Sequence, residues 1–216
     1  MRNCTIDEEK VLSLFISFEG GEGSGKTTQS KALKRRLSRA GYTATLVHEP
    51  GSTPTGERIR RWLKTGSDLT PLAELFLFSA ARSLLVESVI RPALDGHDVV
   101  VCDRYTYSTV AYQGYGRGMD VDTIRQLNDL ASSGLVPDLV VLLDVPVPEG
   151  MARKGNGAGD RFEAESREFH QRVRQGYLDM ACREPKRWLT IDSTRPLSHI
   201  SNTVWERVSR ALTERP

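Results

Sequence analysis

A phosphate-binding pattern follows the first apolar segment of the chain. Residues 20–27 read GGEGSGKT, a glycine, four residues, and then glycine, lysine and threonine. Glycines let the backbone curl so that its N–H groups converge on phosphate oxygens, and the helix expected next adds the positive end of its dipole. We expect Lys26 to bridge the β- and γ-phosphates of ATP and Thr27 to bind Mg²⁺. The expected ATP-binding residues are Gly20, Gly21, Glu22, Gly23, Ser24, Gly25, Lys26, Thr27 and Thr28.

Other origins of this glycine-rich turn are weaker. A chance turn between a strand and a helix would not be expected to complete the whole pattern. A dinucleotide-binding turn requires the G-x-G-x-x-G spacing, which residues 20–27 lack.

Two apolar segments end in an aspartate, the second feature that phosphoryl transfer requires. Asp103 follows residues 99–102, and Asp144 lies at the end of residues 139–143. The pattern alone fits either residue as a magnesium ligand, and either could simply cap a strand end. We prefer Asp103 because Arg104 follows it directly. A metal-linked carboxylate beside a phosphate-binding guanidinium suits a reaction that depends on positioning and charge stabilisation.

Composition limits the classes of function. The chain has 216 residues and 30 Lys plus Arg against 28 Asp plus Glu, a net charge of +2. This balance provides no basic field for nucleic acid, so we expect small-molecule partners. Cys4, Cys102 and Cys182 are too widely spaced for a disulfide framework or a zinc site, which favours a reducing cytoplasm. No apolar run reaches membrane-spanning length, so we expect no membrane partner.

The elements that must position these residues alternate along the chain. Short apolar runs predict strands at 14–18, 44–47, 99–102, 139–145 and 188–191, and longer segments predict helices at 26–40, 56–64, 72–94, 121–133, 165–182 and 197–212. This alternation predicts one α/β domain over 14–216, a parallel sheet with helices on both faces, after a polar extension over 1–13. The glycine-rich stretches 114–118 and 155–159 are expected to be mobile loops.

Five segments together resemble the thymidylate kinase family. They read FISFEGGEGSGKTT at 15–28, EPG at 49–51, FSAAR at 78–82, DRY at 103–105 and AYQG at 111–114. The resemblance implies the three-layer fold of P-loop nucleoside monophosphate kinases, with a five-stranded parallel sheet in the order 2-3-1-4-5. It also implies a homodimer that converts dTMP and ATP to dTDP and ADP with Mg²⁺, a step of dTTP biosynthesis.

The same resemblance assigns residues to the acceptor nucleoside. It implies that Phe78 stacks on thymine and that Arg82, one helical turn further on, reaches a base carbonyl. Tyr112 would pack where a ribose 2′-hydroxyl would otherwise lie, which excludes ribonucleotides. Ser108 and Gln113 would bond the base edge, although a helix face and a surface loop explain these two residues equally well.

Four further residues are assigned to the acceptor phosphate and sugar. The resemblance implies that Arg104 holds the acceptor phosphate, with Arg60 as a second candidate. Glu22, an unusual carboxylate within a phosphate loop, would face the sugar 3′-hydroxyl, and Glu49 would line the acceptor pocket. The residues expected to act in catalysis are Lys26, Arg104, Arg153 and Glu22.

A lid over about residues 148–162 completes the resemblance. Some members of the family carry an arginine in the phosphate loop where this chain has Gly23, so the missing charge is expected from Arg153 or Lys154. Arg161 is the other candidate. An arginine delivered by the same chain can contribute on the order of 10³ in rate.

Two alternative functions remain at this point. One is another P-loop kinase that phosphorylates a different nucleotide or small molecule, against which the four residues Phe78, Arg82, Tyr112 and Gln113 argue. The other is a nucleotide-dependent switch ATPase, but the chain contains no Asn-Lys-x-Asp motif for guanine. ATP consumption with and without an acceptor would separate a switch from a kinase.

Overall fold

The computed structural model describes residues 13–66, 68–154 and 160–214. Its centre is a five-stranded sheet in the order β2-β3-β1-β4-β5, and every pairing is parallel. The predicted order is therefore confirmed. The strands are β1 Leu14–Glu19, β2 Ala44–His48, β3 Val99–Asp103, β4 Leu139–Asp144 and β5 Trp188–Asp192.

Helices cover both faces of the sheet. They are α1 Lys26–Arg39, α2 Pro54–Thr65, α3 Pro71–Leu85, α4 Arg91–Gly96, α5 Thr106–Thr109, α6 Val121–Ser132, α7 Val147–Lys154, α8 Arg167–Arg183 and α9 Leu197–Thr213, with π-helical segments at Val86–Ile90 and Val110–Gly116. Successive side chains of β1 point to opposite faces of the sheet and pack against the helix layer on each face. Ile16 packs in a cluster with α1 and α9, whereas Phe15 packs against the residues around the end of α3.

The parallel sheet brings the candidate catalytic residues to one edge. Phe18 of β1 is in register with Asp103 of β3, and the N–H of Arg104 donates to the carbonyl of Phe18 at 3.0 Å. The phosphate loop leaves β1 at this edge. Ligands of open α/β sheets bind outside the carboxyl ends of the strands, so this edge is the expected site.

The predicted helix over 72–94 is three consecutive elements. α3 passes into the π-helical segment Val86–Ile90, and α4 follows it. Pro92 lies in the first turn of α4, where its missing N–H costs little. The segment is thus helical as predicted, but its hydrogen bonding changes along its length.

The prediction of a mobile loop at 114–118 was wrong for its first part. Gly114 and Gly116 belong to the π-helical segment Val110–Gly116, which packs against α8. A Cβ atom on Gly116 would lie 2.6 Å from the ring of Phe169, so glycine allows this close packing. The second glycine-rich stretch, 155–159, and most of the expected extension over 1–13 lie outside the described residues. Among the helices that the structure describes, none combines the length and the apolar composition needed to cross a bilayer.

Candidate active site

The phosphate loop curls around the side chain of Lys26. Gly20, Gly23 and Gly25 have φ angles of 143°, 67° and 91°, which side chains rarely adopt. Lys26 is buried, and its Nζ donates to the carbonyls of Gly20 at 3.0 Å and Gly21 at 2.7 Å. Burial and the nearby Arg104 charge lower the pKa of Lys26 to about 8. The hydrogen bonds to the Gly20 and Gly21 carbonyls hold the amino group of Lys26 inside the loop, where phosphate oxygens would bind.

The two candidate metal ligands meet in the structure. Thr27 Oγ1 donates to Asp103 Oδ2 at 2.5 Å. The competing carboxylate, Asp144, accepts from Arg174 Nε at 2.7 Å and Nη2 at 2.8 Å, so an ion pair already engages both of its oxygens. A hydroxyl and a carboxylate are oxygen ligands of the kind that Mg²⁺ prefers, and Mg²⁺ usually takes few protein ligands beside substrate phosphates. The geometry favours Asp103 over Asp144.

Arg104 lies between the phosphate loop and the acceptor side. Its φ angle is 72°, and left-handed backbone in a non-glycine residue often marks a functional site. Nη1 donates to the Gly20 carbonyl at 3.1 Å, and Nη2 donates to Glu22 Oε1 at 2.8 Å. The hydroxyl of Tyr112 also donates to Glu22 Oε1, at 2.6 Å. Burial opposes ionisation of Glu22, but the charges of Arg104 and Lys26 outweigh it and lower its pKa.

One cavity of about 570 Å³ joins the phosphate loop to the acceptor side. The expected site residues that line it are Glu22, Gly23, Ser24, Gly25, Lys26, Thr27, Thr28, Glu49, Arg60, Phe78, Arg82, Asp103, Arg104, Ser108, Tyr112, Gln113 and Arg153. Phe162 also lines it, with its ring 5.9 Å from that of Phe78 and 6.1 Å from that of Tyr112. The sequence analysis assigned no role to Phe162.

Arg82 lies at the cavity wall within a buried polar network. Its Nη2 is 2.8 Å from Glu49 Oε2 and donates to Thr109 Oγ1 at 2.8 Å, while Nη1 donates to Asn128 Oδ1 at 2.5 Å. Nε also bonds Glu49, and the other oxygen of that carboxylate, Oε1, has no hydrogen-bond partner among the described residues. A guanidinium carries two N–H groups on Nη1. Only one contact of Nη1, that with Asn128, is seen among the described residues.

Ser108 and Gln113 are each held by a carboxylate that the sequence analysis missed. Ser108 Oγ donates to Glu19 Oε2 at 2.6 Å, and Gln113 Nε2 donates to Glu74 Oε1 at 2.6 Å. Both carboxylates are fully buried. Burial raises the pKa of Glu19 to about 7, although Ser108 and Arg104 both act to lower it. The only sequence signal for Glu19 is a carboxylate at the end of an apolar strand, the same signal that identified Asp103.

Arg60 differs from the basic residues beside it in sequence. Its Nη1 donates to the carbonyl of Pro50 at 2.9 Å, and its side chain lines the cavity. Arg58 and Arg61 are exposed and do not line the cavity.

The three candidate lid cations point in different directions. Arg153 Nη2 donates to the Ser193 carbonyl at 3.0 Å, and its Nη1 lies 3.5 Å from the Gly23 carbonyl. Lys154 Nζ pairs with Glu163 and is 3.6 Å from Glu22 Oε2. Arg161 pairs instead with buried Glu74 and does not line the cavity. Of the three lid candidates, Arg153 and Lys154 therefore lie beside the phosphate loop. The part of the expected lid over 155–159 lies outside the described residues.

Gly23 packs directly against helix α7. A Cβ atom on Gly23 would collide with the carbonyl of Gly150, and one on Gly150 would collide with the carbonyl of Glu22. An arginine at position 23 would therefore require α7 to move. The same helix carries Arg153 and Lys154 in its last turn, beside the loop.

Comparison with known proteins gives a consistent result. A family model described as thymidylate kinase matches residues 18–204. The thymidylate kinase of Dehalococcoides mccartyi is 51% identical over 93% of this chain and 98% of the relative, and that of Thermomicrobium roseum is 47% identical over 93% and 97%. The crystal structure of thymidylate kinase from Ehrlichia chaffeensis has a TM-score of 0.75 and 36% identity, covering 91% of this chain and 98% of that chain.

Proposed function

The chain belongs to the thymidylate kinase family, and from this premise we propose that its cavity transfers the γ-phosphoryl group of ATP to dTMP, which gives dTDP and ADP. The chain is thus an ATP-dependent nucleoside monophosphate kinase, a transferase. One observation supports this function most directly: the phosphate loop and the predicted acceptor residues line a single cavity, with Arg104 between them. The relatives do not favour another small-molecule kinase or a switch ATPase.

On the donor side, we assign Lys26 to the transferring phosphoryl group. Its ammonium already lies within the loop, on the Gly20 and Gly21 carbonyls. When the dTMP phosphate oxygen attacks the γ-phosphorus, the bond to the bridging oxygen breaks and ADP leaves. A preorganised ammonium beside these oxygens stabilises the charge that moves onto the leaving group.

We further propose that Thr27 and Asp103 bind Mg²⁺ together with the phosphates. Their side-chain oxygens are in contact, and they lie at the mouth of the loop. The ion would supply positive charge to the phosphate oxygens. The remaining expected ligands of ATP, from Gly20 to Thr28, would act through backbone N–H groups and the start of α1.

On the acceptor side, we propose that Arg104 holds the dTMP phosphate and that Arg60 supports it. Glu22 would accept from the sugar 3′-hydroxyl. Its contacts with Arg104 and Tyr112 support this role because they orient an ionised carboxylate toward the cavity. Tyr112 would at the same time crowd the position of a ribose 2′-hydroxyl.

The base would bind between Phe78 and the buried polar groups behind it. Phe78 is half-buried at the cavity wall, which suits a stacking surface. The remaining N–H of Arg82 would meet a base carbonyl, and Glu49 would hold Arg82 in place. Ser108 and Gln113 stay predicted base contacts, although the proton of Ser108 is directed at Glu19.

We propose Arg153 as the cation that stabilises the transferring group. It bonds Ser193 behind the phosphate loop, and Ser193 Oγ in turn donates to the Ser24 carbonyl at 2.9 Å. Its Nη1 also lies 3.5 Å from the Gly23 carbonyl, beside the loop in which the phosphates would bind. Lys154 remains the second candidate.

We also propose a cytoplasmic homodimer that does not act on nucleic acid. Leu72, Phe76 and Leu84 of α3 are exposed, and large apolar side chains on one helix are typical of a surface that another chain covers. Cys102 and Cys182 are free thiols, as expected in a reducing compartment. The molar mass in solution, measured by light scattering, tests the dimer.

The function is tested by product analysis. The protein is incubated with ATP and Mg²⁺, with and without dTMP, and nucleotides are separated by chromatography. We expect dTDP and ADP to form in equal amounts, and little ADP without dTMP. ADP formation that does not depend on dTMP would favour a hydrolase and contradict the proposal.

A further inference from the structure

A buried carboxylate lies behind the acceptor wall and outside the cavity lining. Glu74 is fully buried on α3, one helical turn before Phe78. Its Oε2 accepts from Arg117 Nη2 at 3.2 Å and also from Arg161. Its Oε1 accepts from Gln113 Nε2 at 2.6 Å and from Arg117 Nε at 3.3 Å. Two guanidinium groups donate to this one carboxylate, and a carboxylate only accepts hydrogen bonds.

This carboxylate fixes the orientation of the Gln113 amide. The amide has a donor end, Nε2, and an acceptor end, Oε1. Glu74 has no proton to donate, so only Nε2 can face it, at 2.6 Å. The opposite orientation would place the amide oxygen against a carboxylate oxygen inside the core, which is strongly unfavourable. Gln113 is almost fully buried and lines the cavity, so Oε1 is the polar atom that it can offer to a ligand there.

An amide oxygen fixed in this way selects among nucleobases. Thymine and uracil carry a ring N3–H donor beside a carbonyl oxygen, whereas cytosine has an acceptor at N3 beside an amino group. Arg82 and Gln113 line the same cavity, where an N–H of Arg82 would match the carbonyl and Oε1 of Gln113 would match N3–H. The arrangement is complementary to the keto pyrimidines and repels cytosine at both positions.

Resting on the proposed function, we propose that Glu74 is a positioning residue that sets base specificity through Gln113, by holding the amide so that its oxygen accepts from the N3–H of the acceptor base. Glu74 does not line the cavity, so its effect on the base passes through Gln113. The other two partners of Glu74, Arg117 and Arg161, hold the carboxylate in place through ion pairs.

The test is the base preference of Glu74→Gln. A glutamine at this position can donate as well as accept, so the Gln113 amide can reverse and present its N–H₂ to cytosine N3. We expect the ratio of kcat/KM for dTMP over dCMP to fall on the order of tenfold. The ratio for dTMP over dUMP should stay unchanged, because both bases carry N3–H. An unchanged dTMP-to-dCMP ratio, or an equal loss with all three acceptors, would overturn the proposal.

Two further variants separate positioning from folding. Arg117→Gln removes one guanidinium from Glu74 but leaves the bond to Gln113, so we expect a lower Tm and an unchanged dTMP-to-dCMP ratio. Gln113→Leu, similar in size, should lose the preference directly, and Glu74→Gln should add nothing in that background. If Glu74→Gln does not fold, a retained preference in Gln113→Leu overturns the proposal. A wild-type enzyme without any preference for dTMP over dCMP would instead contradict the proposed function.

Discussion

Replacement of Glu19 by glutamine is expected to remove a pH-dependent loss of stability. Glu19 is fully buried at the end of β1, where its carboxylate accepts from Ser108 Oγ at 2.6 Å and from the N–H of Tyr105 at 2.9 Å. Burial raises its pKa from 4.5 to about 7, and the hydrogen bond from Ser108 and the charge of Arg104 offset only part of this effect. The folded protein therefore binds this proton more tightly than the unfolded chain does.

The size and direction of the effect follow from this difference in pKa. The contribution of Glu19 to the free energy of unfolding has its full value below pH 4.5, where Glu19 is protonated in both states. This contribution is lost as the pH rises through 7. One pKa unit corresponds to about 1.4 kcal/mol, so the whole window corresponds to roughly 3 kcal/mol. Between pH 5 and pH 7.5 this group should remove about 2 kcal/mol.

Urea denaturation of the wild type and of Glu19→Gln at pH 5 and pH 7.5 measures this contribution. The other titratable groups are the same in both proteins, so the difference between the two proteins isolates Glu19. The variant should gain about 2 kcal/mol relative to the wild type on going from pH 5 to pH 7.5. Glu206→Gln, which changes an exposed carboxylate on α9, serves as the matched control and should gain nothing. Parallel stabilities for Glu19→Gln and the wild type would refute a raised pKa at Glu19.

Three further predictions concern turnover and selectivity. Lys26→Ala should lower kcat by about 10² to 10³ with an unchanged circular dichroism spectrum, and near-normal turnover in the folded variant would exclude its role in the phosphate loop. Arg153→Ala should lower kcat by up to about 10³ with little change in KM for dTMP, because the contact forms mainly in the transition state. Arg161→Ala should lower the Tm and leave kcat nearly unchanged. A large loss of kcat in Arg161→Ala with near-normal kcat in Arg153→Ala would contradict our choice of cation. Tyr112→Ala should reduce the preference of kcat/KM for dTMP over its ribonucleotide analogue without changing KM for ATP, and an unchanged preference would remove Tyr112 from that role.

The sequence predicted the architecture because each strand is a short, continuous apolar run between helix-length segments. Such runs are buried on both faces, so β1, β3 and β4 could be placed to within about a residue. The order of the strands had a different basis. It came from the resemblance to a family, since local patterns contain no information on which strands are neighbours.

The candidate site was predicted only where the residues follow a motif. The phosphate loop and Asp103 are both of this kind. Glu19 and Glu74 were missed because their importance depends on partners far along the chain, Ser108 and Gln113. The same applies to the Arg161 side chain, which a single buried carboxylate turns away from the phosphate loop.

The central claim, that the cavity phosphorylates dTMP, is tested most directly by an acceptor screen. The wild-type enzyme is assayed with ATP and Mg²⁺ against dTMP, dCMP, AMP and GMP, and kcat/KM is measured for each. We predict that dTMP gives the highest value, because Phe78, Arg82 and Gln113 together match a keto pyrimidine. Faster phosphorylation of dCMP, AMP or GMP than of dTMP would contradict the claim.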